Sequence, residues 1–141
     1  MVGGLSGEFE VSINTGKQVE KAIKEKYITK TVVVSDDLNN FLRDLNSFKP
    51  DIVFNALHGN FGEDGQVQSI PNLLKVPYTH SGVTSSSIGM DKFLSKLIFK
   101  QKGIPCPSGI KTTIKNIKNN KLKKPQILKP INGGSSLGIY K

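Results

Sequence analysis

The stretch DIVFNAL at residues 51–57 constrains the fold more than any other feature. Its centre is nearly all apolar, as expected of a strand covered on both faces, and strands of that kind belong to parallel sheets flanked by helices. A second β-branched run, TVVVS at 31–35, reads as another buried strand. Between and around them the period changes to that of helices. Residues 9–26 place Val11, Val19, Ala22 and Ile23 on one face. Residues 38–47 carry Leu38, Phe41, Leu42 and Leu45 behind the cap candidates Asp36, Asp37 and Asn39, and Pro50 closes that unit.

The pattern is β-α-β-α to about residue 89. VPYTHSG at 76–82 adds a short strand and turn. The fold class is therefore α/β, with an N-terminal open parallel sheet and flanking helices. No strand is expected before Gly3-Gly4, although a glycine turn leading into a helix normally follows one. In GQVQSIPNLLKV, Pro71 would cost about 3 kcal/mol inside a helix, so the helix is expected to start at Pro71 with Ser69 as cap, or to kink. Residues 83–102 read as one helix or two abutting ones, ending at Gly103 as the residue past the C-cap. Strands are expected near 110–113 and at 126–131, with a basic helix or loop between them. The organisation is a domain over 1–89 lacking its first strand, a linking helix over 90–103, and a second unit begun over 104–141.

Charge is unevenly placed. Residues 1–91 hold eight basic and eleven acidic side chains, a balance of −3, whereas residues 92–141 hold twelve lysines and no acid. A basic half of this kind suits phosphates or another polyanion. Nucleic acid is not the expected partner. The lysine-rich run over 111–124 has no interleaved aromatics for base stacking and no arginine for forked contacts. No apolar run approaches a membrane span, and MVGGLSGEFEVS has neither the basic head nor the apolar stretch of a signal peptide. The single cysteine, Cys106, has no internal disulfide partner and fits a reducing, cytoplasmic setting.

Four stretches carry chemistry. GGLSGEFEVS sets backbone N–H groups and the Glu8 carboxylate at a helix start. Glu8 either caps that helix or holds a substrate ammonium. NALHGNFGEDGQVQ puts His58 directly after a buried strand, where open α/β sheets bind ligands, and its glycines let the backbone approach one closely. SSSIGMDKFLSKLIFKQKGIP aligns Lys92, Lys96 and Lys100 on one helical face, a solvated face unless the first reaches a phosphate. ILKPINGGSSLGI ends a strand at Lys129 and follows it with a Gly/Ser loop, whose N–H groups and hydroxyls suit phosphate oxygens. That loop fits neither the P-loop nor the dinucleotide-binding pattern.

In this order the four stretches resemble the D-alanine–D-alanine ligases of the ATP-grasp superfamily. The family's patterns G-G-x-S-x-E-x-E-V-S, L-H-G-x-x-G-E-D-G, P-Y-T-x-S-G-V with M-D-K-x-x-S-K, and K-P-x-x-x-G-S-S-x-G appear as GGLSGEFEVS, LHGNFGEDG, PYTHSGV with MDKFLSK, and KPINGGSSLG. The resemblance spans nearly the whole chain. It implies an N-terminal substrate domain followed by an incomplete ATP-grasp subdomain, a fragment of a longer ligase that is not competent alone. The implied reaction joins two D-alanines with ATP, through an acyl phosphate, for peptidoglycan.

By the same resemblance, Glu8 would hold the ammonium of the first D-alanine in a network with Ser135, and His58 would place its carboxylate or the acyl phosphate. Lys92 and Lys129 would contact ATP phosphates. Gly134, Ser136 and Leu137 would form the loop over the triphosphate. Magnesium or manganese would bind through carboxylates past Lys141, so no metal ligand is expected in the chain. D-Alanine and ATP are the implied partners, with pairing of two copies through the N-terminal domain. The alternative is a non-catalytic binding or dimerisation module derived from that fold. Four positions depart from the family's habit: Phe9 in place of Arg, Pro71 within a helix, His80 in place of Gly, and Gly133 in place of Glu.

Overall fold

The computed structural model describes residues 1–119, 125–134 and 138–140. The chain divides into two compact units, Met1–Ser87 and Ile88–Lys141.

In the first unit, β1 (Val2–Gly3) pairs in parallel with β2 (Val33–Val34), in the register Val2 to Val33 and Gly3 to Val34. The chain therefore does form a strand ahead of the Gly-Gly turn, contrary to the expectation that none would be present. Two residues suffice because Val2 and Gly4 both donate to the neighbouring strand, to Val32 O at 3.0 Å and Val34 O at 2.8 Å.

The parallel hydrogen bonding continues on the other side of β1. The Met1 terminal nitrogen donates to Phe54 O at 2.7 Å, and Ala56 N donates to Met1 O at 2.9 Å. Next, Val53 bridges Tyr78 in parallel, through Val53 N to Pro77 O at 2.8 Å and Thr79 N to Val53 O at 3.1 Å. The segment over 53–57 thus sits centrally, as its composition suggests, and its second face is covered in part. Val53, Asn55 and Leu57 are buried on one face; on the other, Ala56 is buried while Ile52 and Phe54 are exposed.

The helix α1 (Phe9–Ile23) connects β1 to β2. Its buried residues are Ser12 and Gly16, whereas Val11 is 52% exposed. Of the apolar residues anticipated from periodicity, Val19 and Ile23 are half-buried and share the face of Gly16, whereas Val11 and Ala22 are exposed. The fully buried positions are small because of distance: a Cβ on Gly16 would lie 2.1 Å from Val2 Cγ1. α1 packs so close to β1 that only small side chains fit between them.

The helix α2 (Leu38–Phe48) begins at Asp37, whose carboxylate accepts from Asn40 N at 3.1 Å, and it buries Phe41 and Leu45. These join Val32, Val34, Val53 and Leu57 in one core cluster. Each such side chain contributes about 1.5–3 kcal/mol when removed from water. The helix α3 (Gln66–Leu73) starts five residues before Pro71 and runs through it, so neither a start at Pro71 nor a Ser69 cap is seen. Ser69 instead donates to Gln66 O at 2.6 Å. Pro71 forfeits one helical hydrogen bond, but it is buried and its carbonyl accepts from Val76 N at 2.8 Å.

The helix α4 (Val83–Met90) is followed after Asp91 by α5 (Lys92–Gln101), so the long helical pattern resolves into two helices. Asp91 separates them because its carboxylate accepts from both Phe93 N and Leu94 N, restarting the helix. α5 ends as Gly103 suggested. Gly103 has φ +69°, with Ile104 N donating to Phe99 O at 2.8 Å and Gly103 N to Lys100 O at 3.1 Å, a Schellman closure.

In the second unit the strand expected near 110–113 is absent among the described residues, and a 3-10 helix over Ile114–Asn119 follows. The strand expected at 126–131 reduces to one antiparallel bridge, Leu128 with Tyr140. Among the described residues no other segment pairs with this bridge, and a lone bridge does not make a sheet.

Candidate functional site

The first site lies where the Gly-Gly turn meets the loop after residue 57. Ser6 joins the two. Its hydroxyl donates to His58 O at 2.7 Å and accepts from Glu8 N at 3.2 Å. Glu8 is only 8% exposed and stands at the N-cap of α1, yet its side chain makes no capping bond there. The capping role is thereby excluded. Its Oε1 lies instead beside Gly59, where a Cβ would come within 3.1 Å of it. Gly59 has φ +70°, so the loop turns in a conformation that suits glycine and brings its backbone against the carboxylate. The structure therefore brings Glu8 and His58 together.

The His58 ring meets α1. Its Nε2 lies 3.1 Å from Thr15 Oγ1, and that hydroxyl also donates to Val11 O at 2.9 Å. Ser12, one turn earlier on the helix, accepts from Gly3 N at 2.8 Å in a buried bond. Ser6, Ser12 and Thr15 were not singled out by sequence reasoning. Ser12, Thr15 and Gly16 form a small, polar stripe at helical spacing, which marks this face in the sequence.

The loop over 58–65 is held from below. Asn55 Nδ2 and Gln68 Nε2 both donate to Gly62 O, at 2.8 and 2.9 Å. Glu63 Oε2 accepts from Gly59 N at 2.7 Å. Asp64 accepts from Phe61 N at 2.8 Å and from Gln66 N at 3.1 Å, so one carboxylate ties the loop to the first residue of α3. A carboxylate and an imidazole on this rigid frame offer an acceptor for an ammonium and a ring nitrogen for a second polar group.

The second unit holds the phosphate candidates. Lys92 Nζ donates to Gly133 O at 2.6 Å and to Ile131 O at 3.4 Å, while Lys92 N donates to Ile131 O at 3.1 Å. Gly133 N in turn approaches Met90 Sδ at 3.2 Å. The cation and the Gly/Ser loop are thus neighbours. An ammonium has three donors, and two are committed here. Lys96 Nζ reaches Pro107 O at 2.9 Å, so the lysine face of α5 is partly tied to its own unit. Lys129 and Gly134 are exposed. Ser135, Ser136 and Leu137 lie outside the described residues, and with them the expected network between Glu8 and Ser135.

Among the described residues no group of three or more His, Cys, Asp or Glu could hold a metal ion, and no helix is long and apolar enough to cross a membrane.

Comparison with known proteins agrees with this layout. Residues 36–81 match the family model described as D-ala D-ala ligase N-terminus. The D-alanine--D-alanine ligase of Pelagibacter ubique is 49% identical over 98% of this chain and 47% of its own length. That of Paramagnetospirillum magneticum is 42% identical over 99% of the chain and 47% of its own. Among solved structures, the D-alanine--D-alanine ligase of Bacillus anthracis superposes with a TM-score of 0.78 at 34% identity, over 99% of this chain and 46% of that one. A second structure of that enzyme, complexed with ATP, gives a TM-score of 0.74 at the same identity, over 94% of this chain and 46% of that one. The chain spans about half the length of the curated relatives it matches. In sequence and in fold, the chain is thus similar to about half of a D-alanine–D-alanine ligase, with the N-terminal family model matching inside it.

Proposed function

We propose that the first unit forms the subsite for the first D-alanine of an ATP-dependent ligase that joins two D-alanines for peptidoglycan. The observation that carries this reading is the Ser6 bridge, which holds Glu8 and His58 on adjacent turns. In it, Glu8 takes the substrate ammonium, worth about 1.5–3 kcal/mol as a charge-assisted bond. His58 faces the carboxylate end. The buried frame beneath the loop fixes both groups before substrate arrives, so little ordering remains to be done on binding.

In the second unit, Lys92, Lys129 and the loop through Gly134, Ser136 and Leu137 receive the phosphates of ATP. The Lys92 ammonium resting on the loop carbonyls supports this, because an anion there meets a cation already in place. Magnesium or manganese enters this reading with the nucleotide. The working enzyme, in this reading, is cytoplasmic and pairs through its N-terminal domain.

Titrating the ¹⁵N-labelled chain with D-alanine and, separately, with L-alanine tests the subsite. Shifts of the amides at Glu8 and over 58–63 with D-alanine, lost in Glu8→Gln, are the expected result. Identical responses to both enantiomers, or none, would remove the assignment.

A further inference from the structure

We propose that Thr15 is a positioning residue that fixes the tautomer of His58, so that Nε2 carries the proton and Nδ1 is the nitrogen left for a ligand. Two contacts carry this. Thr15 Oγ1 lies 2.9 Å from Val11 O and 3.1 Å from His58 Nε2. A threonine hydroxyl has one proton to donate. The carbonyl of Val11 can only accept, so the bond to it uses that proton. The hydroxyl lone pairs then face the ring, and the second bond exists only if Nε2–H is the donor.

The opposite arrangement, with the hydroxyl donating to a bare Nε2, would leave the short contact to Val11 O as two facing acceptors. The helix enforces the first choice. A threonine in a helix interior turns its hydroxyl to the carbonyl one turn back, and Val11 stands four residues before Thr15. The backbone of α1 thereby sets the protonation pattern of a ring that belongs to another segment.

No described residue bonds Nδ1. In the neutral ring that atom is an acceptor, and it becomes a donor only when the ring gains a second proton. Ser6 complements Thr15: it holds the His58 carbonyl at 2.7 Å while Thr15 holds the ring, so the residue is fixed at both ends. This inference deepens the reading of His58 as a substrate-side residue. The tautomer itself is measured without any substrate, so the two ideas fail separately.

The experiment is ¹⁵N NMR of the histidine side chains in the full 141-residue chain, above the pH at which the ring titrates. A His80→Asn variant identifies the signals of exposed His80. His58 should show a protonated-type Nε2 with a directly observed N–H proton and an Overhauser contact to the Thr15 methyl, and a pyridine-type Nδ1. In Thr15→Val that proton should be lost to solvent exchange, whereas Thr15→Ser should keep it. A purely structural threonine would not give this split between two variants of nearly equal size. A pyridine-type Nε2 in the unaltered chain overturns the proposal, as does an N–H signal that survives unchanged in Thr15→Val. Should Thr15→Val lose its fold, the unaltered chain and Thr15→Ser still decide the outcome. A D-alanine titration without effect, in a chain whose Nε2–H is observed, would strike at the substrate reading alone.

Discussion

The hydroxyl of Ser6 donates to the carbonyl of His58 at 2.7 Å, across 52 positions of sequence, and receives the N–H of Glu8 at 3.2 Å. One small side chain therefore ties the backbones of Glu8 and His58 together. Ser6→Ala removes both bonds and should cost about 1–2 kcal/mol of stability. It should also weaken D-alanine binding several-fold, although Ser6 is assigned no direct substrate contact. Urea unfolding and an amide titration measure the two effects. Full retention of both would show that the bridge is incidental.

Gly16 is needed for close approach rather than for turning. Alanine usually favours a helix over glycine by about 1 kcal/mol. Here its methyl would lie 2.1 Å from Val2 Cγ1, and overpacking of that kind costs about 1–3 kcal/mol. Gly16→Ala should therefore lower stability in spite of its propensity. Adding Val2→Ala should recover part of the loss, and the midpoint of urea unfolding for the single and double variants checks it.

Asp64 closes the loop after His58 and ties it to the first residue of α3 with the same carboxylate. Asp64→Ala should destabilise the first unit by about 1–2 kcal/mol. Asp64→Asn keeps an acceptor and should cost less. Hydrogen exchange is the informative measurement, because protection should fall at Phe61 and Gln66 before the core around Phe41 is affected.

The terminal amine of Met1 is held at Phe54 O, and burial lowers its pKa from 8.0 to about 6. Unfolding restores the higher value. Between these two values the unfolded chain binds more protons, so stability rises with pH across that interval, by about 2–3 kcal/mol in full. Below pH 6 both states are protonated and the penalty no longer changes. In a polypeptide made with Met1 as its free terminus, unfolding free energies at pH 5.5, 7 and 8.5 should follow this rise. N-terminal acetylation should flatten it.

The linear sequence determined the class of the fold, the capping of α2 by Asp37, the Gly103 closure of α5, and the motifs that mark the family. Each depends on neighbours within a few residues: alternation, a short polar cap, or a positive φ. Tertiary packing decided the rest. α1 turned its small residues inward because β1 approaches it too closely for Val11 to fit there. Pro71 stayed inside α3 because burial and a bond to its carbonyl offset one missing hydrogen bond. Likewise, the meeting of Ser6, Glu8, Thr15 and His58 depends on where β1 and the segment over 53–57 lie side by side. Contacts spanning fifty residues leave no periodic trace in a sequence, because no local spacing encodes them; only the folded sheet brings their ends together.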